Sequence, residues 1–222
     1  MILNINKPLG LTSYDVVAYV KRITGEQKVG HAGTLDPMAT GVLLVAVGRP
    51  STRRISEFMD QNKEYEADVI LGAETDTLDR EGPLLQTLPV PPLSRSAIDV
   101  LLATFIGNID QIPPMYSAVH YKGKRAYEIA REGKTIFLPP RRVEIKKIDV
   151  LAYPDFENGN PFPHLTLRIL CEKGVYIRSL ARDIGEAWGT VAFLGSLERT
   201  RIGSYTSAEG LALEGTAKFL VE

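Results

Sequence analysis

The sequence predicts an α+β fold, a mixed and largely antiparallel sheet flanked by helices. Three patterns carry that reading. Residues 42–47 (VLLVAV) form a short unbroken apolar run, as in a strand covered on both faces. Residues 63–71 and 165–171 alternate apolar and polar side chains with the period of two that a half-buried strand requires. Segments with helical spacing lie between such strands, in an order that is not a regular βαβ repeat.

Each element has its own signal. Thr12 followed by Asp15 gives a capping-box pattern ahead of Val16, Val20 and Ile23, and Gly25 is placed to close that helix. In 63–71, Tyr65, Ala67, Val69 and Leu71 face one way, Glu64, Glu66 and Asp68 the other. A helix is expected over 94–106, with Ile98, Leu101, Leu102 and Phe105 on one face and Gly107 at its end. A short helix over 124–132 stops at Gly133. Residues 141–151 alternate through Val143 and Ile145, then slip phase at Lys146–Lys147, which suggests a bulge. Leu165, Leu167, Ile169 and Cys171 make a cleaner strand. A last helix runs from about Ser179 to Trp188, with Leu180, Ile184 and Ala187 inward and Gly189 as its cap. The breaks at 89–92 and 153–163 are too short and too apolar to mark a boundary, and a chain of this length forms one large domain or two small ones.

Composition narrows the class. With 44% hydrophobic and 24% charged residues, the chain is neither collagen-like nor disordered. No apolar run reaches the roughly 18–20 residues a bilayer demands, so no membrane association is expected. The opening residues lack a basic segment followed by an apolar one, so no signal peptide is expected. Cys171 is the only cysteine. That excludes an internal disulfide and a cysteine-based zinc site, and points to a cytoplasmic protein. The net charge of −1 hides an asymmetry. Residues 60–86 carry eight acidic against two basic side chains, whereas residues 121–147 carry nine basic against three acidic. A local basic face of that kind can bind phosphates whatever the global sum.

The most unusual stretch is 30–41, GHAGTLDPMATG. Its glycines permit backbone angles that other residues avoid, and Pro37 pushes Asp36 toward an extended conformation. A carboxylate on such a loop, just before a buried strand, can be presented from a rigid base. An Asp or Thr in a glycine-rich turn can equally cap its own backbone. The His-x-Gly-His pattern of nucleotidyltransferases fails here, because Thr34 holds the fourth position. His31, His120 and His164 lack metal-ligand spacing, so no metal site is expected.

Six segments in order resemble the bacterial tRNA pseudouridine-55 synthases of the TruB family. They are Lys7–Ser13 (KPLGLTS), Gly30–Leu43, Lys63–Asp79, Pro113–Arg131, Cys171–Gly185 and Leu197–Gly203. The resemblance implies the pseudouridine synthase catalytic fold with a central RNA-binding cleft, covering residues 1–222 without a complete C-terminal PUA domain. It implies a tRNA partner engaged at the T-loop, no cofactor, no protein partner and a monomer. The implied reaction breaks the uracil N1–C1′ bond, turns the base and rejoins it through C5.

Residue roles follow from the same resemblance. Asp36 is the essential carboxylate, Arg178 its cationic partner, and Tyr65 the ring that packs on the base and exchanges the late proton. Tyr176, Leu197, His31 and Lys7 are implied as substrate-binding residues. The chemistry fits these types, since cleaving a base from ribose builds positive charge that a carboxylate can stabilise or trap. A free Asp titrates near ~3.9, burial can raise that by up to ~3–5 units, and a close arginine lowers it. The alternative is an RNA-binding or RNA-folding module without catalysis, which the joint presence of Asp36, Tyr65, Tyr176 and Arg178 disfavours.

Overall fold

The computed structural model describes residues 1–156 and 159–216. In chain order it opens with β1 (Ile2–Lys7), α1 (Ser13–Thr24), β2 (Val29–His31), β3 (Ala39–Val47), α2 (Arg49–Thr52), α3 (Ile55–Met59) and β4 (Lys63–Leu71). The middle holds β5 (Ala73–Thr75), β6 (Leu84–Thr87), α4 (Arg95–Ala103), β7 (Gly107–Gln111), β8 (His120–Tyr121), β9 (Lys124–Arg125) and α5 (Ala126–Arg131). It closes with β10 (Arg141–Ala152), β11 (His164–Cys171), α6 (Ile177–Trp188), β12 (Ala192–Ile202), β13 (Tyr205–Thr206) and β14 (Leu211–Ala212). The elements make an α+β protein with mixed strand pairing, as the periodicities predict.

The residues cluster into two compact units, one of 1–66, 170–173 and 197–222, the other of 67–169 and 174–196. In the first unit the strand order is β14–β1–β3–β12, with β2 added to β3 and β13 to β12. β1 is antiparallel to β3 over six residues, and β3 is parallel to β12 through Leu197–Ala39, Glu198–Thr40 and Arg199–Gly41. β3 is buried along nearly its whole length because it is flanked on both edges and both faces. That is why its sequence is an apolar run rather than an alternation. Ala32, Val42, Leu44, Phe58 and Ile202 form one core cluster there.

α1 starts and stops where its caps dictate. The Thr12 hydroxyl accepts from the Asp15 amide at 3.1 Å while the Asp15 carboxylate accepts from the Thr12 amide at 2.8 Å. Gly25 closes the helix in the left-handed conformation, its amide donating to the Lys21 carbonyl.

In the second unit the order is β4–β11–β10–β7, and β10 is antiparallel to β7. β4 and β11 show the alternating burial their sequences predict. Lys146 and Lys147 are both exposed, yet β10 continues through them. Three expectations shift. The helix expected over 94–106 ends at Ala103, because the Thr104 hydroxyl turns back onto the Leu101 carbonyl at 2.6 Å. The helix expected from 124 starts only at Ala126, since Lys122 and Gly123 take positive φ and close a β8–β9 hairpin that uses Lys124 and Arg125. In α6, Ala187 is exposed and the neighbouring Trp188 takes the inward place, its indole N–H donating to the Pro91 carbonyl at 2.8 Å.

Candidate active site

The loop between β2 and β3 carries Asp36 half-buried, and it is held on both sides of that residue. On the preceding side Ser13, the first residue of α1, accepts from the Leu35 amide at 2.8 Å and donates to the Leu35 carbonyl at 3.0 Å. On the following side the Pro37 carbonyl accepts from the Gly10 amide at 2.9 Å and from Lys7 Nζ at 3.3 Å. The Asp36 carbonyl itself accepts from the Ala39 amide at 3.0 Å. A peptide fixed at both flanks holds the Asp36 Cα–Cβ bond in one direction.

Lys7 ends β1 and is fully buried. Its ammonium also donates to the carbonyls of Leu11 at 2.6 Å and Pro8 at 2.9 Å. Three carbonyls offset the desolvation of one cation, and they join the end of β1 to the Asp36 loop. Within this unit, then, Lys7 acts on the loop backbone.

Tyr65 lies on the buried face of β4. Burial raises its phenol above the ordinary value. Arg199 opposes that rise by its charge and by a hydrogen bond, while Cys171 and Asp36 add to it. Asp36 and Tyr65 are thus close enough for their charges to interact. Leu197 is buried on β12 opposite Ala39, at the start of the β3–β12 register.

His31 ends β2, opposite Val45. Burial, and then the Arg199 cation, hold its imidazole below the usual range, with the Gly33 backbone acting weakly the other way. Its Nδ1 is buried and lacks a well-formed hydrogen bond.

Arg199 was given no role by the sequence, yet it is the centre of this arrangement. It is 1% exposed, and its guanidinium donates to the carbonyls of Val42 at 2.8 Å, Gly33 at 3.1 Å and Thr34 at 3.4 Å. Its backbone lies so close to Gly41 that a Cβ there would collide with the Arg199 carbonyl oxygen, and Gly41 has φ +97°. Only glycine fits. Lys63, also buried, donates to the carbonyls of Met59 and Gln61, and burial with the Arg199 charge lowers its ammonium's pKa. Burial pushes the Cys171 thiol up to about 12, so it stays neutral.

Arg178 and Tyr176 belong to the second unit. Arg178 sits in the first turn of α6, 5% exposed, and donates to the carbonyls of Thr77 and Tyr116, both at 2.8 Å. It also forms a buried ion pair with Asp79 at 3.4 Å. Asp79 accepts from the Thr77 hydroxyl at 2.6 Å and the Glu81 amide at 3.0 Å, so its carboxylate is fixed from several directions. Tyr176 caps α6; its amide donates to Gln111 Oε1 at 2.8 Å, and it packs against Val119, Ala126 and Leu138. Sequence reasoning gave Ser13, Asp79, Gln111 and Arg199 no part in the site. For Arg199 a signal was present, since it falls in phase with inward-facing Leu197 along β12.

A half-buried acid on a glycine-rich loop, a buried phenol and a deeply seated arginine, all in the first unit, are groups suited to the acid–base chemistry of an enzyme. Residues 21–177 match the family described as TruB family pseudouridylate synthase (N terminal domain), and the chain belongs to that family. It is 48% identical to tRNA pseudouridine synthase B of Microcystis aeruginosa, over 96% of this chain and 70% of that protein. The protein of the same name from Desulfotalea psychrophila is 45% identical over 93% of this chain and 83% of its own length. Among solved structures, a chain of a Cbf5–Nop10–Gar1 complex superposes with a TM-score of 0.73 at 30% identity, over 99% of this chain and 54% of its own. A chain of an H/ACA ribonucleoprotein bound to a substrate RNA containing 2′-deoxyuridine gives 0.70 at 27% identity, over 99% and 53%.

Proposed function

We propose that the protein converts uridine 55 in the T-loop of tRNA to pseudouridine. The observation that carries this reading is Asp36, presented from a loop clamped at Leu35 and Pro37 and sharing its surroundings with Tyr65. Relatives named tRNA pseudouridine synthase B, at 45–48% identity, support the choice of substrate.

In this reading the target base leaves its stack and enters the site, at a cost of a few kcal/mol. Stacking on an aromatic ring such as Tyr65 returns on the order of 1–3 kcal/mol. Asp36 is the essential carboxylate of glycosidic-bond cleavage, and Arg178, ion-paired with Asp79 in the second unit, is the buried cation that the same resemblance assigns to the reaction. Tyr65 takes the proton from C5 once the new carbon–carbon bond exists. Leu197 and His31 border the base, and Lys7 acts by holding the loop that bears Asp36. All nine basic side chains of 121–147 are exposed, which suits them to the phosphates of the T-arm. We read residues 1–222 as a catalytic domain that works as a monomer in the cytoplasm.

The test is incubation with an unmodified tRNA transcript followed by carbodiimide mapping. A single modified position at the T-loop uridine is expected. Binding without product would favour an RNA-remodelling module instead.

A further inference from the structure

We propose that Lys28, Arg49 and Arg53 form a phosphate-binding surface in the first unit, which takes the backbone of the substrate RNA a few nucleotides from the target base. The inference rests on the tRNA reading above. It adds a contact face made of residues outside the six segments that carry the family resemblance.

Two segments assemble the surface. Residues 21–28 and 49–57 carry six basic side chains against two acidic ones. The Gly48 amide donates to the Lys28 carbonyl at 2.8 Å, which sets Lys28 beside the start of α2. A Cβ on Gly30 would meet Ile55, so the chain leaving α2 packs along β2. The Arg53 amide donates to the Arg49 carbonyl at 3.3 Å, one helical turn back. Side chains four apart on such a turn share a face. Lys28, Arg49 and Arg53 are all exposed.

This arrangement works against the fold. Like charges four residues apart repel each other. The two acids of these segments are engaged elsewhere, since Glu57 pairs with Arg54 at 3.0 Å and the Glu26 carboxylate accepts from the Lys28 amide at 3.0 Å. Arg54 and Arg22 rest over the rings of Phe58 and Tyr19, at 5.7 and 5.2 Å. Among the described residues, no carboxylate or ring engages the charged heads of Lys28, Arg49 and Arg53. Three gathered, uncompensated cations attract a polyanion.

β2 relates that surface to the chemistry. It runs from Val29 to His31, and at about 3.4 Å per residue Lys28 stands about 10 Å from His31. His31 borders the base in the reading above, and the Asp36 loop follows it directly. The backbone of a strand whose base is held there crosses that distance within a few nucleotides. Arginine matches phosphate oxygens bidentately, and such contacts fix the register of the RNA without reading its sequence.

The experiment measures binding of a tRNA transcript over a salt series, and turnover at saturating transcript. It compares wild type with Arg49→Gln/Arg53→Gln, with a triple variant that adds Lys28→Gln, and with Arg49→Lys/Arg53→Lys. The double Gln variant should raise Kd about tenfold at low salt, and the triple variant further. Each lost contact should flatten the slope of log affinity against log salt by about 0.7–0.9. The Lys/Lys variant should keep most of both. At saturation kcat should stay within about twofold in every variant, and a transcript with a substituted T-loop should lose affinity by the same factor. Thermal unfolding should not fall, because the three side chains make no internal contact. Unchanged Kd and salt slope in the triple variant overturn the proposal, as does a fall in kcat with Kd unchanged. If wild type binds the transcript and makes no pseudouridine, the isomerase reading falls, and the salt slopes still decide whether this surface holds RNA.

Discussion

The Ser13 hydroxyl grips Leu35 at both ends of the residue, accepting from its amide at 2.8 Å and donating to its carbonyl at 3.0 Å. This ties the first turn of α1 to the residue just before Asp36, although Ser13 and Asp36 lie in different motifs of the chain. Ser13→Ala leaves two buried backbone groups without partners, at about 1–3 kcal/mol. Urea unfolding should register that loss. Turnover should fall more than KM rises, because the acid's direction is disturbed while the RNA surface is intact.

Gly41→Ala should be far more damaging than its one added methyl suggests. The new Cβ would meet the Arg199 backbone, at a φ that L-residues rarely adopt. Left-handed strain alone is worth about 1–3 kcal/mol, and the clash adds to it. We expect a clear loss of stability in denaturant titration, or failure to fold.

The buried Arg178–Asp79 pair gives a third expectation. Asp79→Ala removes one partner and leaves a buried guanidinium beside the carbonyls of Thr77 and Tyr116. Breaking such a pair costs about 3–5 kcal/mol. Thermal unfolding should fall accordingly, whereas Lys147→Ala, which removes an exposed pair with Asp149, should cost much less.

Acid stability should depend on His31. Burial and Arg199 hold its folded-state pKa below the unfolded value of about 6.5. Above that pH both states are neutral and nothing is lost. As pH falls below it the unfolded chain takes up the proton first, so stability declines until the folded imidazole also protonates. Between pH 7.5 and 5.5, His31→Gln should lose less stability than wild type in paired urea titrations. An equal loss would mean that His31 is not held neutral.

The sequence discloses the parts of this fold whose signal is local. The Thr12–Asp15 box, the alternation through Tyr65 and the apolar run of β3 each come from one short segment, and each element forms where expected. The misplacements have local causes that compete with periodicity. Thr104 bonds back onto Leu101, the Lys122–Gly123 turn takes residues from α5, and Trp188 outcompetes Ala187 for the inward place. At the site, Asp36 is legible because glycines and a proline surround it. Ser13, Asp79 and Gln111 are not, because their partners lie 22, 99 and 65 positions away and such pairings leave no periodic trace. Arg199 falls between these cases, since its inward phase is visible in β12 and its partners are not.

The most direct test of the whole account is Asp36→Asn, assayed side by side with wild type for binding of a tRNA transcript and for pseudouridine at the T-loop uridine. The substitution keeps size and polarity and removes the charge. We expect binding within a few-fold of wild type and no detectable product. Appreciable pseudouridine from the Asn variant would contradict the central claim that the carboxylate on this clamped loop performs the chemistry.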